Sequence, residues 1–214
     1  MKIIITSGPT RSYLDEIRYI TNYSTGELGT LIAGQAAFRG HKVTQIFGRG
    51  SISTADGNVK RIEIETVEEL LKALKIELKK DKGMQTAVIH AMAVLDYVAP
   101  KKLHKKVKSD KKNWTVKFIR APKIIKEIKK MAPEVKLVGF KMEYKAGKTA
   151  LIKAARTLMK AASADYVVAN DFSGIKAGKH TALILGAGGY SKGNIKGKDK
   201  IASEVLKTLE GGKC

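Results

Sequence analysis

KIIITSGP, at residues 2–9, is the clearest strand signal in the chain. Its β-branched side chains favour extended backbone in the interior of a sheet. The dipeptide Gly8-Pro9 then ends the run. We therefore predict a buried strand over residues 2–7.

Strands and helices alternate along the rest of the chain. Thr66 is placed to N-cap one helix, with Glu69 at the capping-box position. Alternating strands and helices imply right-handed βαβ units. We predict an α/β, Rossmann-like fold in a single domain over residues 1–214, with a mainly parallel sheet and helices on both faces. The predicted strands cover residues 2–7, 43–47, 59–65, 86–91, 115–119, 135–140, 166–169 and 181–185, and the predicted helices cover residues 28–38, 66–80, 122–131, 149–162 and 203–209.

The chain is strongly basic, with 41 Lys and Arg against 20 Asp and Glu and a net charge of +21. Such a charge favours anionic partners without separating nucleic acid from nucleotides or phosphorylated metabolites. Lysine supplies 34 of the basic residues, which is more typical of a solvated surface than of bidentate recognition by arginine. Seven lysines fall in residues 101–113, where we predict a basic loop that forms a flap over residues 98–114.

Composition sets broad limits on the class of protein. Hydrophobic residues make up 43% of the chain, enough to bury a core. No apolar run reaches the roughly 18 residues that a membrane span needs, and the N-terminus runs directly into the first strand. We expect a cytoplasmic protein with no membrane partner. Cys214 is the single cysteine, which excludes an internal disulfide framework and a cysteine-based zinc site.

Two segments near the first strand have the composition of phosphate-binding turns. Residues 6–11, TSGPTR, follow the strand, and residues 22–29, NYSTGELG, precede the first helix. Small and hydroxyl residues let backbone N–H groups approach a phosphate, whose charge a helix N-terminus favours. Neither segment is a Walker A motif or a complete GxGxxG fingerprint, so a capped helix packed closely on a strand explains them equally well.

Three further candidates follow predicted strands and so belong to one crevice at the carboxyl edge of the sheet. Asp96, ten residues before Lys106, could hold a ligand between a carboxylate and a mobile cation. Phe140 could stack on a base, and Asn170 could bind the edge of that base. Taken singly, a turn-capping Asp, a core Phe and an Asx turn are the more common explanations.

Together these segments resemble phosphopantothenoylcysteine synthetase, the second enzyme of coenzyme A synthesis from pantothenate. They occur in the family's order and at roughly its spacing across residues 2–185, and the ordered set is specific where any one motif is weak. The decarboxylase domain fused ahead of it in many bacteria is absent from this sequence, so the chain resembles the stand-alone bacterial form. The matching segments are Gly8-Pro9-Thr10-Arg11, Arg18-Tyr19-Ile20-Thr21-Asn22, Ser24-Thr25-Gly26-x-x-Gly29, Ala93-Val94-Leu95-Asp96-Tyr97, Lys106-Val107-Lys108, Ala121-Pro122-Lys123-Ile124, Gly139-Phe140 and Ala169-Asn170-Asp171.

The resemblance implies a homodimer with a shared active site, Mg²⁺, and CTP as co-substrate, with ATP as the alternative that eukaryotic members typically use. In the family, the carboxylate of 4′-phosphopantothenate attacks the α-phosphate of CTP to give an acyl-cytidylate and pyrophosphate. The amine of cysteine then attacks the activated carbonyl and releases CMP. Activation is needed because a carboxylate does not acylate an amine in water until its oxygen becomes a good leaving group.

The resemblance also implies roles for individual residues. Asn22 is expected to hold phosphopantothenate and its acyl-nucleotide, and Lys106 to be the flap lysine that closes on the nucleotide. Arg18 resembles the arginine that a partner subunit offers to the substrate phosphate. Met92, Ala93 and Asp96 are expected to line the substrate site with Asn22. The expected nucleotide-binding residues are Gly8, Ser24, Gly26, Gly29, Asp96, Lys106, Ala121, Pro122, Lys123, Ile124, Phe140, Arg156, Lys160 and Asn170.

The sequence departs from the family pattern at three places. The Ala-Ala pair before the Asp becomes Met92-Ala93. In the family's Asn-Pro-Asp-Ile, the Asn becomes Ala121 and the Asp becomes Lys123. The family's lysine pair is out of register, and Arg156 and Lys160, four residues apart on one helix face, match it only after a two-residue shift.

Two other functional classes are compatible with the sequence. An NAD(P)-dependent or nucleotide-sugar reductase shares the fold, and Arg49, after the strand 43–47, could accept a 2′-phosphate, although a fuller glycine fingerprint would be expected. A nucleic-acid-binding protein is suggested by charge alone, and no RRM, KH or zinc-finger pattern supports it. We expect 4′-phosphopantothenate, cysteine and CTP as partners, and no nucleic acid.

Overall fold

The computed structural model describes residues 1–80, 83–110, 112–187 and 191–211, apart from the side chains of Lys176 and Ser191. Residue 111 of the basic loop and Cys214 therefore lie outside the described residues. Within those ranges, no helix combines the length and apolar character needed to cross a bilayer. The strands are β1 Lys2–Ser7, β2 Arg11–Tyr13, β3 Tyr19–Thr21, β4 Lys42–Gly48, β5 Val59–Ile64, β6 Thr86–His90, β7 Tyr97–Val98, β8 Ile119–Arg120, β9 Lys136–Glu143, β10 Tyr166–Asp171, β11 Thr181–Gly186 and β12 Ser191–Lys196. The helices are α1 Glu27–Phe38, α2 Val67–Leu78, α3 Ile124–Met131, α4 Lys148–Ala162, α5 Phe172–Lys176 and α6 Lys198–Leu209.

The largest sheet has the strand order β12-β11-β10-β9-β6-β1-β4-β5. The strands from β5 to β10 in this order are parallel, whereas β11 pairs antiparallel with both β10 and β12. Numbered along the chain, the six parallel strands have the order 3-2-1-4-5-6, which is that of a doubly wound, Rossmann-type sheet. The predicted fold class is confirmed.

Helices cover both faces of this sheet. α1 and α6 pack with Ile3 and Ile5 of β1, whereas α2, α3 and α4 pack with Ile4 on the opposite face. Successive side chains of a strand point to opposite faces, so β1, whose six residues are all buried, contributes to both layers. The ends of the strands are left for ligands.

Most of the predicted elements are confirmed, and their bounds shift by a few residues. The capping box of α2 is present: Glu69 N donates to Thr66 Oγ1 at 3.2 Å, and Thr66 N donates to Glu69 Oε2 at 3.3 Å. This reciprocal pair satisfies two amides that the first turn of a helix cannot bond internally.

Three local predictions were wrong or incomplete. The predicted strand over residues 115–119 is limited to β8, which among the described residues pairs only with β7. A strand needs a neighbour to complete its hydrogen bonds. The glycine- and lysine-rich stretch before residue 203 contains β12 and the first turn of α6, since β11 offers β12 an edge. The hairpin of β2 and β3 was not predicted either.

Candidate active site

A cavity of about 1140 Å³ opens at the carboxyl edge of the large sheet. The ends of β6, β9 and β10 line it, together with the first turns of α1 and α3 and one face of α4. β1 and β6 are neighbours, but the chain continues from β1 to β4 on one side and from β6 to β9 on the other. The cavity therefore lies beside the reversal of strand order, where doubly wound sheets bind their ligands.

Glycines let the backbone close up at the start of α1. Gly8 and Gly26 have φ angles of +74° and +80°, a region that side chains disfavour. A Cβ on Gly29 would lie 2.4 Å from Ser7 Cβ, so only glycine lets α1 approach β1 this closely. Gly26 and Gly29 line the cavity with Ser24, whereas Gly8 is not among its described lining residues.

The first turn of α1 is suited to an anion. Gly26 is the N-cap and has no side chain that could accept a hydrogen bond from the helix amides. One of those amides, Glu27 N, donates to Thr25 Oγ1 at a long 3.4 Å. The remaining first-turn amides and the positive end of the helix dipole favour a phosphate at this wall of the cavity.

A buried polar network holds this turn in place from behind. Gln45 of β4 is fully buried, and its Nε2 donates to Ser7 Oγ and to Thr30 Oγ1, both at 3.0 Å. Ile52 N donates to Thr25 O at 2.9 Å, and Thr30 Oγ1 donates to Ile52 O at 2.9 Å. These bonds join β1, β4 and α1, so the position of the turn depends on residues outside the cavity.

Asn22 also lines the cavity and is held by a hydrogen bond to the loop after β6. Its Nδ2 donates to Val94 O at 3.1 Å. Ala93 N donates to Gly8 O at 2.9 Å, and Thr10 N donates to Ala93 O at 3.3 Å. Asn22, Met92, Ala93 and Asp96 all line the cavity, so the structure brings the expected substrate-binding residues together, apart from Arg18.

His90 closes the end of β6 and also lines the cavity. Its Nδ1 lies 2.8 Å from Thr6 Oγ1. Burial, with a smaller effect of the nearby Lys123 charge, lowers the pKa of His90 to about 4. The imidazole is therefore neutral at physiological pH and presents a hydrogen-bonding group, not a charge, to a ligand.

The first turn of α3 carries the sequence departure at Lys123. Lys123 Nζ lies 2.6 Å from Asp96 Oδ1, and both side chains are more than half exposed. An exposed pair of this kind contributes about 0–1 kcal/mol, so a ligand could separate it at little cost. Pro122, Lys123 and Ile124 line the cavity, whereas Ala121 lies outside the lining and donates its N–H to Asp96 O at 2.9 Å.

In the Ala-Asn-Asp segment at the end of β10, the Asn faces the cavity and the Asp fixes a neighbouring loop. Asn170 is 6% exposed and lines the cavity, as does Phe140 of β9. Asp171 instead accepts hydrogen bonds from Ser173 N and Ala146 N, both at 2.7 Å. Hydrogen bonds from Ser173 and from the backbone lower the pKa of Asp171, which remains ionised and fixes the loop before α4.

The face that α4 presents differs from the prediction. Lys153 and Thr157 line the cavity, whereas Arg156 and Lys160 are exposed and absent from its described lining. Each residue turns the helix by about 100°, and the lining positions of α4 form one stripe at three- and four-residue spacings, which Arg156 and Lys160 do not join. The described lining therefore contains Lys153 and Thr157 in place of Arg156 and Lys160, and the nucleotide contact expected of the latter pair stays a prediction.

The predicted basic flap over residues 98–114 is called the basic segment from here on. Its described residues contact the β2–β3 hairpin and are absent from the cavity lining. The fully buried Asp15 accepts hydrogen bonds from Arg18 Nη1 at 2.9 Å and from Val107 N at 3.1 Å. Arg18 Nη1 also donates to Val107 O at 3.2 Å, and the guanidinium lies over the ring of Trp114. Burial favours protonation of Asp15, but backbone hydrogen bonds from Ile17, Val107 and Arg18 outweigh it and lower its pKa.

This docking places two expected site residues outside the cavity of their own chain. Arg18 is committed to the basic segment, and Lys106 is exposed next to the anchored Val107. Neither is among the described lining residues. Their contacts with substrate stay predictions, which require closure of the segment for Lys106 and a second subunit for Arg18.

The cavity lining has an excess of cationic groups. Its three carboxylates are each paired with a lysine: Glu27 with Lys198, Asp96 with Lys123, and Glu143 with Lys141. Among the described residues, the ammonium groups of Lys126 and Lys153 have no ion-pair partner. Two unpaired cations beside a helix N-terminus suit a polyanionic ligand.

The carboxyl edge over β4 and β5 is built differently. Glu65, directly after β5, accepts hydrogen bonds from Tyr13 Oη and Arg49 Nη1. These contacts lower the pKa of Glu65 and raise that of Tyr13. Arg11 Nη2 donates to Arg49 O at 2.7 Å, and the Arg11 guanidinium lies over Tyr19. Arg49, the residue that could accept a 2′-phosphate in a reductase, is thus engaged within the protein.

Comparison with known proteins identifies a family for this chain. The family model of the DNA/pantothenate metabolism flavoprotein C-terminal domain matches residues 1–211. The coenzyme A biosynthesis bifunctional protein CoaBC of Thermococcus kodakarensis is 40% identical over 185 residues, covering 86% of this chain and 45% of the relative. The chain spans about half the length of the curated relatives it matches.

Solved structures agree with the fold. The DNA/pantothenate metabolism flavoprotein from Streptococcus pneumoniae superposes with a TM-score of 0.88 at 27% identity, and each chain covers 100% of the other. The C-terminal domain of a coenzyme A biosynthesis bifunctional protein CoaBC gives a TM-score of 0.79 at 25% identity, covering 98% of this chain and 94% of that one.

Several lining residues were assigned no role from the sequence. His90 and Lys126 were not singled out. Lys153 gave no separate signal because helix register, and not composition, brings it to the wall. His180 and Lys198 lie outside the predicted helices and strands, so only the folded structure places them at the cavity.

Proposed function

We propose that this chain, which belongs to the DNA/pantothenate metabolism flavoprotein C-terminal domain family, is a ligase that joins 4′-phosphopantothenate to L-cysteine. The observation that carries the proposal is that a single cavity is lined by the first turn of α1 and by Asn22, Asp96, Phe140 and Asn170. These are the segments on which the resemblance rests, and they are far apart in the sequence. The names of the relatives, which refer to coenzyme A biosynthesis, support the same reading.

CTP is the proposed co-substrate, with ATP as the alternative. Its triphosphate would lie at the first turn of α1, where backbone amides and the helix dipole favour negative charge. The unpaired ammonium groups of Lys126 and Lys153 would offset the remaining charge. The base would stack on Phe140 beside Asn170, which is buried and has an amide that can both donate and accept.

The first proposed step activates the carboxylate of phosphopantothenate. A carboxylate oxygen bonds to the α-phosphorus of CTP, and the bond from that phosphorus to the bridging oxygen of the β-phosphate breaks. Pyrophosphate leaves with the electron pair, and the acyl-cytidylate remains. Two anions must approach each other here, so closure of the basic segment with Lys106 would lower the barrier by placing a cation beside the developing charge.

The second proposed step forms the amide. The cysteine nitrogen bonds to the acyl carbon, the carbon–oxygen bond to CMP breaks, and the nitrogen gives up a proton to solvent. Asn22 lies at the wall where the carbonyl would sit, and its tether to Val94 O fixes its orientation. A fixed amide donor stabilises a carbonyl oxygen as it becomes negative.

Mg²⁺ is proposed to enter with the nucleotide. Within the described residues, no group of three His, Cys, Asp or Glu side chains could hold a metal ion by itself. Mg²⁺ commonly binds one or two carboxylates together with substrate phosphates, so Asp96 or Glu27 could complete such a site after leaving its lysine. The ion would supply positive charge to the departing pyrophosphate.

A homodimer with a shared active site is also part of the proposal. Arg18 belongs to the hairpin that anchors the basic segment and does not line the cavity of its own chain. A partner's hairpin could therefore bring Arg18 to the substrate phosphate. The reaction would take place in the cytoplasm, where nucleoside triphosphates are made.

A pyrophosphate-release assay tests the proposed reaction. The chain is incubated with Mg²⁺, 4′-phosphopantothenate and each of the four ribonucleoside triphosphates, with and without cysteine. We expect pyrophosphate with CTP, and CMP and phosphopantothenoylcysteine only after cysteine is added. Absence of pyrophosphate with every nucleotide would reject the proposal, and a nicotinamide fluorescence titration serves as the control for a reductase.

A further inference from the structure

His180 lies in the turn before β11 and lines the same cavity, although no family motif includes it. Its backbone is fixed, because Gly197 N donates to His180 O at 2.8 Å. Both ring nitrogens, Nδ1 and Nε2, are buried from solvent, and neither has a hydrogen-bond partner in the described part of the chain. An imidazole in this state has lost its water without gaining a protein partner.

The buried His90 and the partly buried His41 both have a hydrogen-bond partner within the protein. His90 Nδ1 lies 2.8 Å from Thr6 Oγ1, and His41 Nε2 lies 2.8 Å from Glu210 Oε1. Leaving a buried polar group without a partner destabilises the folded state, and such groups are rare in folded proteins. The orientation of His180 is therefore better explained by a group that arrives in the cavity.

The surroundings of His180 indicate which kind of group this is. Its electrostatic neighbours are Lys198, at the start of α6, and Glu27, in the first turn of α1. These two side chains are ion-paired with each other, and both line the cavity. The N-terminus of α1 and the Lys198 ammonium together favour negative charge beside the imidazole.

Burial is the main cause that lowers the pKa of His180, and the Lys198 charge lowers it further against a smaller opposite effect of Glu27. A neutral imidazole has one N–H donor and one acceptor. The donor can bind an anionic oxygen without charge on the ring.

We propose that the His180 imidazole binds a phosphoryl oxygen of a substrate, completing an anion subsite with the first turn of α1 and Lys198. The inference rests on the proposed function, in which both CTP and 4′-phosphopantothenate carry phosphoryl groups. His180 is a binding residue in this arrangement and takes no covalent part in the reaction.

Binding and stability should respond in opposite ways when His180 is replaced. His180→Leu removes two unsatisfied buried nitrogens, so the melting temperature should stay the same or rise. Loss of a hydrogen bond to a charged group should weaken binding of the phosphorylated substrate by about ten- to a hundredfold. His180→Gln, which keeps a donor, should recover part of that affinity.

His41→Leu is the matched control, because His41 has a partner in Glu210 and is absent from the described cavity lining. It should lower the melting temperature and leave binding unchanged. A result in which His180→Leu behaves like His41→Leu would assign His180 a structural role and overturn the inference.

The ligand source is resolved by observing the four imidazoles of the full chain by nitrogen–proton NMR during titration. The probes are Mg·CTP, 4′-phosphopantothenate, inorganic phosphate and cytidine. We expect the His180 signals to shift with one of the two phosphorylated substrates and with phosphate, and not with cytidine. A shift with cytidine alone, or with no probe, would overturn the inference.

The same titration separates this inference from the proposed function. If neither substrate binds the wild-type chain but inorganic phosphate still shifts His180, the ligase assignment fails and the phosphoryl subsite stands. If both substrates bind and His180 does not respond, the subsite fails and the ligase assignment stands.

Discussion

The carboxyl edge of the sheet has charged side chains over β4 and β5 and over β6, β9 and β10, but among the described residues they are paired in the first half and partly unpaired in the second. Over β4 and β5, the charged groups Arg49 and Glu65 bind each other and Tyr13. Over β6, β9 and β10, Lys126 and Lys153 face a cavity of about 1140 Å³ without an ion-pair partner among the described residues. The first region is a polar contact within the fold, and the second, as far as the structure describes it, presents cations without an ion-pair partner to an open cavity.

The difference bears on whether the crevice of this doubly wound sheet has room for a dinucleotide. A dinucleotide needs the crevice on both sides of the strand reversal. Here the β2–β3 hairpin and the Tyr13–Glu65–Arg49 contacts occupy the half over β4 and β5. Substitutions in the open half should therefore change turnover more than stability, and substitutions in the closed half should do the reverse.

Asn22→Asp should give the largest effect on turnover. Aspartate has nearly the same shape, but it cannot donate when ionised, and it would repel both anionic substrates and Val94 O, which now accepts from Nδ2 at 3.1 Å. Loss of one such donor typically costs about 10²–10³ in rate. Quenched-flow with radiolabelled CTP should show acyl-cytidylate accumulating as the second half-reaction slows.

The control for this change is Asn58→Asp, which adds the same charge in an exposed loop outside the described cavity lining. It should turn over normally. If Asn22→Asp melts several degrees lower and yet turns over like the wild type, Asn22 belongs to the scaffold and not to the site.

Lys106→Gln should slow turnover by about ten- to a hundredfold, since a cation that meets developing phosphate charge is lost. The melting temperature should be unchanged, because Lys106 is exposed and supports no core. Steady-state rates at saturating CTP measure the effect, and Lys105→Gln is the neighbouring control. Near-normal activity in Lys106→Gln with a loss in Lys105→Gln would show that the register of the flap is wrong.

Lys153→Met should raise the KM for CTP by about tenfold with a smaller change in kcat, because it removes charge that binds the nucleotide before and during reaction. Arg156→Met removes the same charge three residues along α4, outside the described lining. It should leave the KM almost unchanged. Equal effects of the two substitutions would mean that only the net charge of the helix matters.

Glu65→Gln should have the smallest effect on turnover, less than about twofold, and a measurable effect on stability. Loss of the charged contacts to Tyr13 and Arg49 should lower the free energy of unfolding by about 1 kcal/mol, or about 2–4 °C in melting temperature. A large fall in turnover with unchanged melting would place Glu65 in the active site and erase the contrast between the halves.

The difference in stability between the wild type and Glu65→Gln should depend on pH in one direction. The contact with Tyr13, and then that with Arg49, lowers the pKa of Glu65 in the folded chain below its ordinary value of 4.5. The stabilisation is therefore fully present above pH 4.5 and is lost as the pH falls toward the folded pKa. Melts of wild type and Glu65→Gln should differ at pH 7 and converge in acid.

The fold could be predicted because its signals are local. The isoleucine run of β1, the capping box of α2 and the alternation of strands and helices each depend on near neighbours in the sequence. The prediction over residues 115–119 failed for the converse reason: strand propensity was present, but within the described ranges the short β7 is the sole ladder partner.

The residues of the candidate site also fall into those placed by local signals and those placed by packing. The glycine turn at Gly26 and Gly29, Asn22, Phe140 and Asn170 follow strands or begin helices, so their place at the carboxyl edge was predictable. Lys153 could not be chosen over Arg156, because the choice depends on the rotation of α4 against the sheet.

The sequence by itself determined the order of the strands and helices, the glycine positions and the edge where the chemistry lies, because propensity and periodicity act over a few residues. The tertiary structure decided which cations are free and which are paired. Lys123 with Asp96 and Arg49 with Glu65 join residues that are distant in the chain. The His180 nitrogens, which have no partner in the part of the chain that the structure describes, are recognised only after packing has excluded water from them. Pairing and desolvation depend on which surfaces meet, and that is settled only when the helices and strands pack together.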